Sequence, residues 1–215
     1  VSTNLRFPRG LYGVTPDWDD VAALERAVTA AIRGGMKALQ LRHKTATPAL
    51  RRELALRLQP LCKEAGVIFM INDDWELALS IAADGVHLGK LDAPPEMVRQ
   101  QIGPDMLLGV SCYADTDRAR GMLAYDVAYI AFGAMFASGT KPLAPPAPLT
   151  TLTNARALVD GLTGPRPALV AIGGITAARA PALIAAGAES LAVVGGLFLA
   201  PDIQAAAQEL SAVFH

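Results

Sequence analysis

Residues 168–196 read ALVAIGGITAARAPALIAAGAESLAVVGG. Two short apolar runs, 168–172 and 190–194, each end in Gly-Gly, and an Ala-rich helical pattern at 176–186 separates them. Neither run alternates apolar with polar residues. Both faces of each are therefore suited to burial, as in a parallel strand covered on either side. Strand, crossover helix, strand is the unit from which parallel sheets are built.

The same rhythm runs through the rest of the chain. Strands are expected at 11–15, 38–42, 67–72, 85–88, 107–111 and 127–132, ahead of the two at 168–172 and 190–194. Helices are expected at 18–33, 48–65, 75–83, 94–101, 115–123, 149–160, 176–186 and 203–214. Val21, Leu24, Val28 and Ile32 recur at spacings of three and four, which makes one apolar helical stripe. Thr47-Pro48 has the form of an N-cap followed by proline at the first helical position. Gly34-Gly35, Gly66, Gly85 and Gly187 follow helices, where glycine accepts a left-handed backbone. Eight βα units in succession fit the α/β class and a (β/α)8 TIM barrel, read as one domain over residues 1–215. An open doubly wound sheet is the alternative. It would need a Gly-rich nucleotide fingerprint after an early strand, and none follows 11–15.

Composition narrows the function. With 215 residues, 52% of them hydrophobic and 18% charged, the chain can bury a large core. The 19 Lys and Arg against 20 Asp and Glu leave a net charge of −1, so no global basic field exists for nucleic acid or an anionic membrane. Anion binding must be local. Cys62 and Cys112, with His43, His87 and His215, show no zinc-ligand spacing, and a reduced, cytoplasmic setting is the simplest expectation. The first ten residues, VSTNLRFPRG, lack the apolar core of a signal peptide. The apolar stretch at 182–199 is broken by Gly187, Glu189, Gly195 and Gly196 and does not suit a membrane span. Partners are expected to be small molecules, with the oligomeric state left open to a homo-oligomer.

In such a barrel, chemistry gathers at the C-terminal ends of the strands. The second strand runs straight into Arg42-His43-Lys44, and the third ends in Asn72-Asp73-Asp74. Lys90 and Asp92 lie beyond the fourth, Ser111 ends the fifth, and Ser138, Thr140 and Lys141 lie beyond the sixth. Asp73 and Asp92, from adjacent strand ends, are hard oxygen ligands of the kind Mg²⁺ takes alongside water and phosphate. Taken singly, either is better explained as a helix cap, and Asp74 suits an N-cap still more closely. Arg42, Lys44 and Lys141 offer phosphate a planar fork and two point charges. A lone loop lysine is usually a solvated charge; cations converging with carboxylates at one mouth point to a metal and diphosphate site. Gly173-Gly174 and Gly195-Gly196 let phosphate approach backbone N–H groups, although either pair alone explains a tight turn. His87, in GVHLG, reads as a core histidine, and strand alternation turns His43 away from its basic neighbours. The residues thus describe a Mg²⁺-dependent barrel holding a diphosphate and a second, singly phosphorylated group.

The ordered set LYGVT, GGMKALQLRHK, FMINDD, ADGVHLGKLD, LLGVSC, YIAFGAMFASGTK, VAIGGI and GAESLAVV resembles the thiamine-phosphate synthase family, which also includes thiazole tautomerases. The resemblance runs nearly end to end. It implies coupling of hydroxymethylpyrimidine diphosphate to thiazole phosphate, with thiamine phosphate and pyrophosphate as products. It further implies that Arg42, Lys44, Ser111 and Lys141 hold the diphosphate and that Asp73 and Asp92 ligate Mg²⁺. Gln40 and Asn72 would line the pyrimidine pocket. Ser138, Thr140, Gly173, Gly174, Gly195 and Gly196 would hold the thiazole phosphate. The chain departs from the family pattern in His43 for Glu, Lys90 for Gln, Ser138 for Thr, a glycine-free loop at 142–148, and Gly195-Gly196 in place of Ser. Two alternatives stand beside the synthase. One is a tautomerase-like enzyme using His87 as its acid–base group; the other is a catalytically silent phosphate-ligand binder.

Overall fold

The structure, a computed structural model, describes residues 4–137 and 146–215. Its eight strands are β1 (Gly10–Val14), β2 (Ala38–Leu41), β3 (Ile68–Asn72), β4 (Gly85–Leu88), β5 (Leu107–Tyr113), β6 (Tyr129–Phe132), β7 (Ala168–Ile172) and β8 (Ser190–Val193). They are parallel, succeed one another in chain order, and close on themselves where Tyr12 of β1 pairs with Ala192 of β8. Closure excludes the open sheet. The helices are α1 (Val21–Arg33), α2 (Pro48–Glu64), α3 (Trp75–Ser80), α4 (Pro95–Ile102), α5 (Thr116–Met122), α6 (Thr150–Asp160), α7 (Ala180–Ala185), α8 (Gly195–Phe198) and α9 (Ile203–Ala212). No described helix is long and apolar enough to cross a membrane.

Capping side chains decide where several helices begin. Asp20 accepts a hydrogen bond from the Ala23 N–H (2.9 Å), so α1 starts at Val21, where its apolar stripe begins and three residues after the expected start at 18. Thr47 caps α2 through the Leu50 N–H, with Pro48 at the first turn. Asp74 caps α3 through the Leu77 N–H (2.9 Å) and pairs with Arg51, which absorbs it into structure. Asp92 does not cap α4; Pro94 holds the N-cap position and no side chain bonds the helix end.

The strand alternation that the apolar runs concealed sorts the core into two layers. One set, including Leu24, Val28, Leu39, Phe69, Leu169 and Leu191, packs between helices and sheet. The other points into the barrel: Tyr12, Val14, Ala38, Met70, Tyr129, Ala131, Val170 and Ala192. Phe7 closes this interior from the N-terminal end, its ring centroid 5.0 Å from that of Tyr12 and 4.4 Å from that of Tyr129. Going up the same inward rows toward the C-terminal ends, Gln40, Asn72, His87 and Ser111 replace apolar side chains. The interior is apolar and aromatic below and polar above.

Candidate active site

The basic loop after β2 is organised by acidic and hydroxyl side chains that precede α1. Thr15 Oγ1 accepts from the Arg42 N–H and donates to the Arg42 carbonyl, both at 2.9 Å. Asp17 Oδ1 accepts from the Lys44 N–H (3.0 Å) and from Arg42 Nη1 (3.3 Å). His43 is buried. Its Nδ1 accepts from the Ala46 N–H (3.0 Å), so its hydrogen lies on Nε2 and is donated to Asp19 (2.8 Å). His43 therefore ties the loop to the segment before α1 and faces away from the mouth, as alternation implies. Arg42 and Lys44 emerge on the other side.

Lys44 reaches Asp73, and its ammonium bonds Asp73 Oδ2. Asn72 Nδ2 donates to the same oxygen (2.7 Å). Asp92 Oδ2 accepts from the Gly89 N–H (2.8 Å) and lies within hydrogen-bonding reach of the Asp73 carboxyl. Burial, and then the neighbouring Asp73, push the Asp92 carboxyl above the ordinary aspartate range, because two carboxylates this close cannot both ionise freely. This pair is short of positive charge, which is the condition a divalent cation relieves. Among the described residues no third His, Cys, Asp or Glu joins Asp73 and Asp92 at one point. That ligand count suits Mg²⁺, which keeps waters and substrate oxygens in its shell.

Below this mouth lies a hydrogen-bonded row that strand-end reasoning does not anticipate. Gln40 Nε2 donates to the Tyr12 hydroxyl (2.7 Å), which bonds the Tyr129 hydroxyl (2.8 Å). His87 lies between Tyr129, bonded at Nδ1, and Ser111, bonded at Nε2, both at 2.8 Å. Burial pushes the His87 pKa down to about 4, and Lys44 adds to this against the opposing pull of Asp92. Ser111 sits just before a register shift between β5 and β6, and its carbonyl accepts from Arg118 Nε (3.0 Å). Bulges of this kind re-aim side chains beside active sites.

The glycine pairs have structural work of their own. Gly173 and Gly174 have φ of +102° and +63°. A Cβ on Gly173 would lie 2.6 Å from Ala134 Cα, and one on Gly174 2.7 Å from the Ala137 carbonyl oxygen. The backbone after β6 leans on the end of β7, with the Met135 N–H donating to the Ile172 carbonyl and the Phe136 N–H to that of Gly173. Gly195 and Gly196 form the first turn of α8, which has no side-chain cap, and a Cβ on Gly196 would meet the Ile175 carbonyl oxygen at 2.5 Å. Ser138, Thr140 and Lys141, with residues 142–145 of the glycine-free loop, lie outside the described residues.

Strand-end logic could have found Asp17 and Asp19, which lie just beyond β1 in the segment TPDWDD. Tyr12 and Tyr129 share the inward parity of Gln40 and His87 on their own strands, and that parity was the available signal. Both cysteines are buried, and burial pushes each thiol up to about 12, so neither contributes a nucleophile. A groove at the opposite end of the barrel is lined by Gln59, Lys63, Ile68 and Asp84. Asp84 already accepts from the Phe69 N–H, and Gln59 donates to the Ile81 and Ala82 carbonyls.

Residues 11–197 match the family model described as thiamine monophosphate synthase. The chain is 58% identical over 210 residues to a thiamine-phosphate synthase of Bordetella pertussis, covering 98% of this chain and 97% of that one. It is 46% identical over 205 residues to a thiamine-phosphate synthase of Chromobacterium violaceum, covering 95% and 96%. Among solved structures, a thiamine phosphate pyrophosphorylase from Pyrococcus furiosus superimposes with a TM-score of 0.83 at 28% identity, covering 97% of this chain and 96% of that one.

Proposed function

The chain belongs to the thiamine monophosphate synthase family, and from that membership and the mouth of its barrel we infer how it makes thiamine phosphate. It is a transferase that joins hydroxymethylpyrimidine diphosphate to thiazole phosphate and releases pyrophosphate. The pyrimidine methylene–oxygen bond breaks, and its electron pair leaves with pyrophosphate. The thiazole nitrogen then supplies the pair for the new carbon–nitrogen bond. The principal demand on the protein is to stabilise charge on the leaving group.

In our reading Arg42, Lys44, Ser111 and Lys141 bind the diphosphate, and Gln40 and Asn72 border the pyrimidine. Ser138 and Thr140, with backbone at Gly173, Gly174, Gly195 and Gly196, receive the thiazole phosphate. Asp73 and Asp92 would hold Mg²⁺, which would supply positive charge to neutralise the leaving pyrophosphate. The observation that carries this assignment is the cluster at the ends of β2, β3 and β4: two carboxyls within reach of each other, one of them bonded by Lys44 and Asn72. A tautomerase would need His87 as an acid–base group poised near neutrality. Here both its nitrogens are engaged by hydroxyls and burial keeps it uncharged, which favours the synthase. Two buried free thiols fit a reducing cytoplasm.

The test is an endpoint assay with both substrates and Mg²⁺, run with and without EDTA. Metal-dependent thiamine phosphate is expected. Product formed equally in EDTA would remove Mg²⁺ from the reading, and thiazole phosphate binding without product would turn it toward a silent binder.

A further inference from the structure

The row Gln40, Tyr12, Tyr129, His87, Ser111 is unbroken from β2 to β5 and joins two residues assigned above to substrate binding. Any role of the row in catalysis rests on that assignment. The direction of the hydrogens along the row is determined by counting. Among the described residues the Tyr12 hydroxyl is bonded to Gln40 and Tyr129 alone, and it is fully buried. Gln40 donates to it, so its own hydrogen goes to Tyr129. In the opposite sense that hydrogen would be buried without an acceptor, which is unfavourable. Tyr129, having accepted, passes its hydrogen to His87 Nδ1. The ring then carries its one N–H on Nε2 and donates it to Ser111 Oγ. Ser111 has now accepted within the protein, and its own hydrogen is left to point into the mouth.

We propose that His87 is a positioning residue: the row that begins at Gln40 holds it as the Nε2–H tautomer, and this commits the Ser111 hydroxyl to donate to a diphosphate oxygen. Reversed, the row would take the Ser111 hydrogen for itself and turn a lone pair toward an anion. The aromatic members are fixed for this task. The His87 and Tyr129 rings are stacked at 5.5 Å and 9°, and Gly109 is bare where any Cβ would run into the Tyr129 ring.

The experiment is nitrogen-15 NMR of the His87 imidazole in the ligand-free protein at pH 7. A single Nε2–H tautomer is expected, with Nδ1–H signal appearing in Tyr129→Phe. A double-mutant cycle then asks whether the row works through Ser111. Tyr129→Phe alone should lower kcat/KM for the diphosphate about tenfold, and within about twofold when Ser111→Ala is already present. An Nδ1–H or doubly protonated ring in the wild type overturns the proposal, as does an equal loss in both backgrounds. Should Tyr129→Phe fail to fold, the wild-type spectrum decides by itself, since an Nδ1–H tautomer there overturns the proposal without any variant. The tautomer is read without substrate. A protein that makes no thiamine phosphate would thus end the synthase reading while leaving the NMR result to stand or fall separately.

Discussion

At Asp73 the backbone turns left-handed, with φ of +63°. Aspartate is one of the few side chains that visits this region at modest cost. The turn lifts its carboxylate to where Lys44 and Asn72 both reach it. Asp92, arriving from the next strand end, has one oxygen fixed by the Gly89 N–H. If the two share Mg²⁺, Asp92→Asn should raise the Mg²⁺ concentration for half-maximal rate at least about tenfold; an unchanged metal titration would remove Asp92 from the ligand set. His87 makes a second prediction, on stability. Its pKa is depressed to about 4 in the folded protein, and the unfolded chain protonates near 6.5. Between these values the unfolded state binds more protons. Stability is therefore full above about 6.5 and declines as pH falls toward 4, by about 3 kcal/mol in total. Urea midpoints measured from pH 7 to 4 should fall more steeply in the wild type than in His87→Gln, and parallel curves would contradict the depressed value.

At the scale of the element, β5 and β6 are fitted to each other by a missing side chain. Gly109 pairs beside Tyr129, whose ring fills the space a Cβ would need. Gly109→Ala should cost about 1–3 kcal/mol by overpacking and lower activity as Tyr129 shifts against His87. Gly121→Ala, in α5 with nothing within 4 Å of the added Cβ, should instead raise stability by up to about 1 kcal/mol. Thermal melts of the two variants moving in the same direction would refute this contrast. The elements themselves are largely legible in the sequence, because doubly covered strands are short, mainly apolar runs and glycine marks the ends of several. Boundaries are less so. Helix α7 starts at Ala180 rather than 176, with Pro181 in its first turn, and β5 continues past Ser111 to Tyr113. Helix α8 has four residues, too few for any period to register.

Across the whole molecule the two ends of the barrel are built for different purposes, and only one is legible in the sequence. The strand-end cations and carboxylates stand next to their strands in sequence, so barrel logic alone collects them. The interior row does not, since Tyr12 and Tyr129 are 117 positions apart and meet only across the closed barrel. The N-terminal end holds a comparable surprise. Glu189, immediately before β8, is buried and accepts from Arg166, Arg156 and the Leu169 N–H. It joins β7, β8 and α6 far from the mouth, where side chains serve stability and no substrate arrives. Glu189→Gln would leave Arg166, itself buried, with only the more distant and half-exposed Asp160 at 3.8 Å, and breaking a buried pair from one side costs up to about 3–5 kcal/mol. The variant should therefore melt well below the wild type yet keep its kcat and KM at temperatures where it remains folded. A loss of kcat without a loss of stability would mean that this end of the barrel communicates with the mouth.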